Sequence, residues 1–174
     1  MALTATAGSA TADSFVTIAA ADAYFDTRLN VTAWTVTAVT ADKERALKSA
    51  TREISASAFL GLRTDDVQAL AWPRDGATRV DAAGIADYYY ETTEIPQRVK
   101  DATCELALAY LNAGTTDLTL ADSTAGVIRK KTGPIETEWA IGQRATGWAR
   151  YPAVGDALGP LLTSAGTAGT WERS

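Results

Sequence analysis

Residues 95–114 read Ile95-Pro-Gln-Arg-Val-Lys-Asp-Ala-Thr-Cys-Glu-Leu-Ala-Leu-Ala-Tyr-Leu-Asn-Ala-Gly114. Val99, Ala102, Thr103, Leu106, Ala109 and Tyr110 recur at helical spacing and make one apolar face. Cys104, Leu108 and Leu111 widen that face beyond a stripe, so this helix is touched on most sides and occupies the centre of a bundle. Pro96 suits its first turn, and Asn112-Ala113-Gly114 supplies the chemistry of its end.

The flanking segments provide partners for such a helix. Thr17 reads as an N-cap, after which Ala21, Tyr24, Phe25 and Arg28 share one face of a short helix expected to stop near Asn30. Thr40 opens a second helix, with Asp42 and Glu44 in the turn where the macrodipole favours acids. Its buried stripe is Leu47, Ala50, Ile54 and Ala58, with Lys43, Arg45, Lys48 and Arg52 left to solvent. From Phe59 to Gly76 the pattern becomes an extended loop, since Pro73 disfavours helix at Trp72 and Asp75-Gly76 signals a turn. Trp72 is expected to anchor that loop on the core. Residues 77–94 form a polar excursion around Tyr88-Tyr89-Tyr90.

After Gly114 the period shifts from helical towards strand-like. Val127-Ile-Arg-Lys-Lys-Thr, Gly133-Pro134 and Ile135-Glu-Thr-Glu-Trp139 read as a β-hairpin. A two-residue loop at Gly133-Pro134 pairs Lys131 with Glu136, Arg129 with Glu138 and Ile128 with Trp139; a longer loop is the alternative. Trp148 to Pro152 reads as extended, followed by a helical turn or two around Pro160. The fold class is therefore mainly α: a small helical bundle, 15–114, with a projecting β-hairpin, 127–140, and flexible terminal arms at 1–14 and 163–174.

Composition removes many functions. The chain has 174 residues, 16 Lys+Arg against 21 Asp+Glu, a net charge of −5 and no His. The missing imidazole excludes Ser-His-Asp and Cys-His triads and most catalytic zinc sites. A lone cysteine, Cys104, cannot form an internal disulfide and reads as a small buried hydrophobe. The acidic balance opposes electrostatic capture of nucleic acid, and no face interleaves basic and aromatic residues as single-strand binding requires. No apolar run reaches the ~18 residues of a membrane helix, and Met1 to Ser14, without Lys or Arg, does not read as a signal peptide. Walker, dinucleotide-fold and nucleophile-elbow motifs are missing. Glu136 and Glu138 as a carboxylate pair are better read as cross-strand ion-pair partners, and Asp65-Asp66 and Asp87/Glu91/Glu94 as solvated loop charge. No enzyme and no cofactor are expected. Trp171, on a Gly/Ala/Thr-rich tail, reads as an aromatic anchor for a partner.

Several segments in fixed order resemble a known family. They are Phe15-Val-Thr-Ile-Ala-Ala-Ala-Asp-Ala-Tyr-Phe25, Trp34, Glu44-Arg-Ala-Leu-Lys-Ser-Ala-Thr-Arg52, Gln68-Ala-Leu-Ala-Trp-Pro-Arg74 and Ile95 to Ala107. Together they resemble the head-tail connector (adaptor, or head-completion) proteins of tailed phages, some of which are labelled DnaT-like single-stranded-DNA-binding proteins. The resemblance covers roughly residues 14–162; Tyr88–Tyr90 looks like an insertion, and the tail after Thr163 lies outside it. It implies a homo-oligomeric ring, typically of 12 copies, in the virion neck, assembled in the host cytoplasm. Such a ring docks under the portal protein, passes DNA through its channel as cargo, and presents a platform to a tail terminator, stopper or other downstream connector; no membrane is involved. On this reading Ile128, Arg129, Lys131, Ile135, Glu136, Glu138 and Trp139 form a hairpin interface, and Trp171 and Arg173 carry the C-terminal tail onto the portal. The alternative is a DnaT-like single-stranded-DNA-binding protein.

Overall fold

The central helix, α3, runs Gln97–Ala113 in the computed structural model, which describes residues 3–79, 88–114, 129–132, 135–138 and 147–163. Pro96 precedes its first turn, and Gly114 closes it in the left-handed conformation at φ 67°. Val99, Ala102, Thr103, Cys104, Leu106, Ala107 and Tyr110 are buried, spread over more than one face as the sequence pattern implies. The buried Thr103 hydroxyl stays satisfied by donating to the Val99 carbonyl at 2.7 Å. Helices before and after it in the chain pack around α3.

Helix α1, Ile18–Phe25, is capped by Thr17, whose hydroxyl accepts from the Ala20 N–H at 3.2 Å. It ends at Phe25, short of the expected Asn30. Thr27 turns its hydroxyl back on the Tyr24 carbonyl, and Asn30 adopts φ 61°, a conformation no helix continues through. A π-helical turn, Ala33–Thr37, then drops Trp34 fully into the core. Helix α2, Thr40–Ser55, buries Ala46, Leu47, Ala50, Thr51 and Ile54. Ala58 does not extend that stripe: it lies beyond the helix end and is exposed. Arg45 and Arg52 stay exposed, but Lys43 and Lys48 are drawn partly inward by ion pairs to Asp22 at 2.9 Å and Asp13 at 2.6 Å.

Those ion pairs bear on the N-terminal arm, whose expected freedom over 1–14 needs correction. From Leu3 onwards the segment lies on the bundle. The Asp13 carboxylate accepts from the Thr4 N–H at 2.7 Å, Ser9 accepts from the Ala69 N–H at 3.1 Å, and Ala12 and Ser14 are buried. A composition poor in large apolar residues here docks through backbone hydrogen bonds and one carboxylate instead of through its own core.

The loop from Phe59 to Gly76 is extended as expected and carries a minimal ladder, β1 (Leu62–Arg63) against β2 (Arg74–Asp75). Trp72, 1% exposed, anchors it edge-on against Phe59 and Tyr90. Gly61 allows the close approach: at φ 73°, a Cβ there would stand 2.3 Å from the Asp75 carbonyl oxygen. After the excursion, Thr78 bridges Tyr89, with Tyr90 half-buried on Trp72.

Near the end of the chain one reading is corrected, and the helical turn expected around Pro160 is present and longer than expected. Residues 147–150 form a 3-10 turn instead of an extended strand, and helix α4 spans Pro152–Leu158, continued by a 3-10 turn at Gly159–Leu161. Pro152 at the first position and Gly155, whose missing side chain lets the helix pass the Trp148 backbone, hide this helix from propensity rules. Val154, Leu158 and Leu161 cap the core, and a bridge between Phe59 and Leu162 closes the chain on the end of α2.

The hairpin forms with the expected backbone register. Strands β3 (Arg129–Thr132) and β4 (Ile135–Glu138) pair Arg129 with Glu138 and Lys131 with Glu136 across Gly133-Pro134. Ile128, Trp139, Trp171, Arg173 and the chain after Thr163 lie outside the described residues.

Candidate functional site

Among the described residues, no three His, Cys, Asp or Glu side chains come together in a metal-binding cluster. Cys104 is buried, and burial followed by the nearby Asp101 and Glu105 pushes its thiol up to about 12, the profile of an inert hydrophobe. Asp65 accepts from the Val67 N–H at 3.0 Å, making a loop turn. No described helix is long and apolar enough to cross a membrane.

Six of the described cations, Arg28, Lys43, Arg45, Lys48, Arg74 and Arg79, have definite hydrogen-bonding partners. Arg28 bonds Glu105, which also accepts from the Tyr24 hydroxyl at 2.6 Å; Arg45 bonds Asp42 at 2.6 Å; Arg79 bonds Glu94 at 2.7 Å. Arg74 has carbonyls in place of a carboxylate. Its Nε donates to Leu60 at 2.7 Å, its Nη2 to Gly61 at 2.5 Å and Phe59 at 3.3 Å, and its Nη1 to Ala71 at 3.2 Å. Burial, then repulsion from Arg63, lowers the pKa of this guanidinium below its usual value. The fork holds the Phe59–Ala71 loop against β2.

Aromatic rings follow the same rule. Arg28 covers Tyr24, Lys43 covers Trp34, Arg79 covers Tyr90 and Arg150 covers Tyr151, at 5.0 to 5.8 Å from the ring centres. On Tyr24, Tyr90 and Tyr151, which are partly exposed, the cation occupies a ring face that a base would otherwise stack on; Trp34 is already sealed in the core. Tyr88 and Tyr89 are exposed, their rings edge-on at 5.3 Å, beside Glu91 and Glu94. Asp22 ties the π-turn down: it accepts from Trp34 Nε1 at 2.8 Å and from Lys43 at 2.9 Å.

What remains open is apolar surface outside helices α1–α4, in the π-turn, strand β1 and the connections, segments too short for periodicity to read. Leu29 (90% exposed), Val36 (78%) and Val39 (63%) lie before α2; Leu62 (77%) and Val67 (63%) lie after it. Beside the first set is a groove of ≈ 550 Å³ lined by Thr37, Ala38, Asp42, Tyr110 and Leu111 among others. The Tyr110 hydroxyl donates to Glu53; burial and then that carboxylate raise its pKa well beyond the usual tyrosine value. The hairpin is the remaining candidate surface, described by its backbone pairing.

A family model described as "Putative DnaT-like ssDNA binding protein" matches residues 1–173. No curated protein matches, and no solved structure matches.

Proposed function

The chain belongs to that DnaT-like family, and from this premise we propose that it is a structural subunit of a phage head-tail connector ring. The observation that supports this reading is the engagement of six described cations. Arg28, Lys43, Arg45, Lys48 and Arg79 bond carboxylates and Arg74 bonds carbonyls, within a chain of net charge −5. A surface so arranged holds DNA phosphates weakly, which suits a channel wall along which DNA slides. The subunit works without catalysis. It docks under the portal, in a ring of 12 copies in the virion neck, and offers its far side to a terminator, stopper or further connector. The hairpin, through Arg129, Lys131, Glu136 and Glu138, meets a neighbouring subunit or the next ring. The tail, through Trp171 and Arg173, grips the portal, several weak tails acting together by local concentration.

The family description favours a second reading, single-stranded-DNA binding. Two measurements separate them. A gel shift with single-stranded DNA at low salt should show no complex at ~100 μM protein, beyond the range of ordinary non-specific binders. Portal capture should succeed with the full chain and fail after truncation at Thr163. A low-salt complex at micromolar protein without portal capture would establish the second reading instead.

A further inference from the structure

We propose that Tyr88 and Tyr89, with Glu91 beside them, form a docking surface for an arginine-bearing segment of another protein. The proposal stands apart from the connector reading, because it names only the chemistry that is recognised. Both rings are exposed, and they meet edge-on with centroids 5.3 Å apart and planes at 84°. Two tyrosine faces so arranged make one continuous aromatic corner. Its base is fixed. The Arg79 N–H donates to the Tyr88 carbonyl at 2.8 Å, the Tyr90 N–H to the Ala77 carbonyl at 2.9 Å, and Tyr90 packs edge-on against the buried Trp72. A surface held in place this way costs little ordering when a partner arrives.

The chain shows how an arginine is seated in such surroundings. The Arg79 guanidinium lies over the Tyr90 ring at 5.0 Å, while its Nη2 donates to Glu94 at 2.7 Å. Ring face and carboxylate hold it jointly. Tyr88, Tyr89 and Glu91 present the same two components without the arginine. Among the described residues no cation covers either ring, and none pairs with Glu91. The Glu94 N–H donates to the Glu91 carbonyl at 2.9 Å, a turn that keeps the two glutamates' Cα atoms within about 7 Å. The open components therefore adjoin the filled seat. Charge selects the occupant. A nucleobase also stacks on tyrosine, but its phosphates would face Glu91 and Glu94 in a chain of net charge −5. A guanidinium gains from ring and carboxylate at once, and its planar face stacks where an ammonium cannot.

NMR of the full chain carrying labelled tyrosine tests this without portal. The Tyr88 and Tyr89 ring resonances, assigned by their loss in Tyr88→Phe and Tyr89→Phe, are followed at low salt against capped tri-arginine, capped tri-lysine and oligothymidylate. Affinities are read on each peptide's own side-chain resonances, which serve every variant. The expected result is a shift of both rings by tri-arginine, with an affinity about threefold or more above that of tri-lysine. Phe at both positions should keep that affinity within about twofold, whereas Leu at both lowers it about tenfold and Glu91→Gln about threefold. Both tyrosines are exposed, so the Phe variant also controls for the fold. Equal affinity for tri-lysine, wild-type affinity in the Leu variant, or no shift at about 10 mM tri-arginine overturns the proposal. So does a preference for oligothymidylate at these rings, which would make them a base-stacking site. A shift on raising the protein concentration alone would make the occupant a second copy and overturn it as well.

Discussion

Replacing Arg74 by Met keeps the aliphatic stem and removes every donor of the guanidinium. Two of its contacts are short, 2.7 Å to Leu60 and 2.5 Å to Gly61, and two are longer, 3.2 Å to Ala71 and 3.3 Å to Phe59. A hydrogen bond to a charged group contributes about 1.5–3 kcal/mol, and bonds from one fork are not additive. Counting the short pair near the lower value, and allowing water to replace part of the rest because the site is half-buried, the loss is about 3 kcal/mol. For a domain of this size that lowers Tm by roughly 6–12 °C. Urea unfolding followed by the fluorescence of the buried Trp34 and Trp72 should show the midpoint fall with an unchanged slope. Arg74→Lys should recover less than half of the loss, because a single ammonium cannot serve acceptors on both sides of the fork. A loss below about 0.5 kcal/mol for Arg74→Met, or a Lys variant equal to wild type, would refute the reasoning.

Gly61→Ala should destabilise by at least about 2 kcal/mol, measured in the same urea experiment, because it combines positive φ with a Cβ 2.3 Å from the Asp75 carbonyl oxygen. Acid should loosen the N-terminal segment. Burial alone would raise the Asp13 and Asp22 carboxyls, but hydrogen bonds and attraction from Lys48 and Lys43 outweigh it and hold both below 3.8. A depressed folded value gives stability that is complete above the unfolded pKa and disappears as pH falls through the folded one, so the loss comes below pH 3.8. Asp13→Asn should cost about 0.5–1 kcal/mol at pH 7 and flatten that acid limb in a pH series of melting curves. Cys104 should resist thiol reagents in native protein and react at once in urea; labelling of the folded chain would contradict its burial.

The parts of the fold that periodicity and end chemistry control are legible in the sequence: α2, α3 with its Gly114 cap, and the hairpin register from opposite charges. Trp72 also fulfils its expected anchoring role. The misses share a cause, since each depends on a partner distant in the chain. Sequence alone leaves Lys48 solvated because nothing near it reveals Asp13, and leaves the N-terminal segment free because Ala69 and Ser9 meet only in three dimensions. Helix α4 has Pro152 and Gly155 where propensity expects better formers, and packing of Val154 and Leu158 overrides that preference. Of the candidate site, the hairpin pairing is legible. The exposed Leu29, Val36, Val39, Leu62 and Val67 are not, because exposure in a connection is a tertiary property that no window of sequence reports.

The closure of the chain on itself has a consequence for how the protein is made. Helix α3 exposes apolar surface on several sides until Val154, Leu158 and Leu161 arrive, and among the described contacts the strand-like bridge from Leu162 to Phe59 comes last. On the ribosome, the chain ahead of α4 therefore emerges with an uncovered core, and it waits there at the pace of translation, about 5–20 residues per second. A nascent chain that stalls or stops in that interval is an adhesive fragment for chaperones and proteases, and a version ending before Leu161 would lack the lid of its own core.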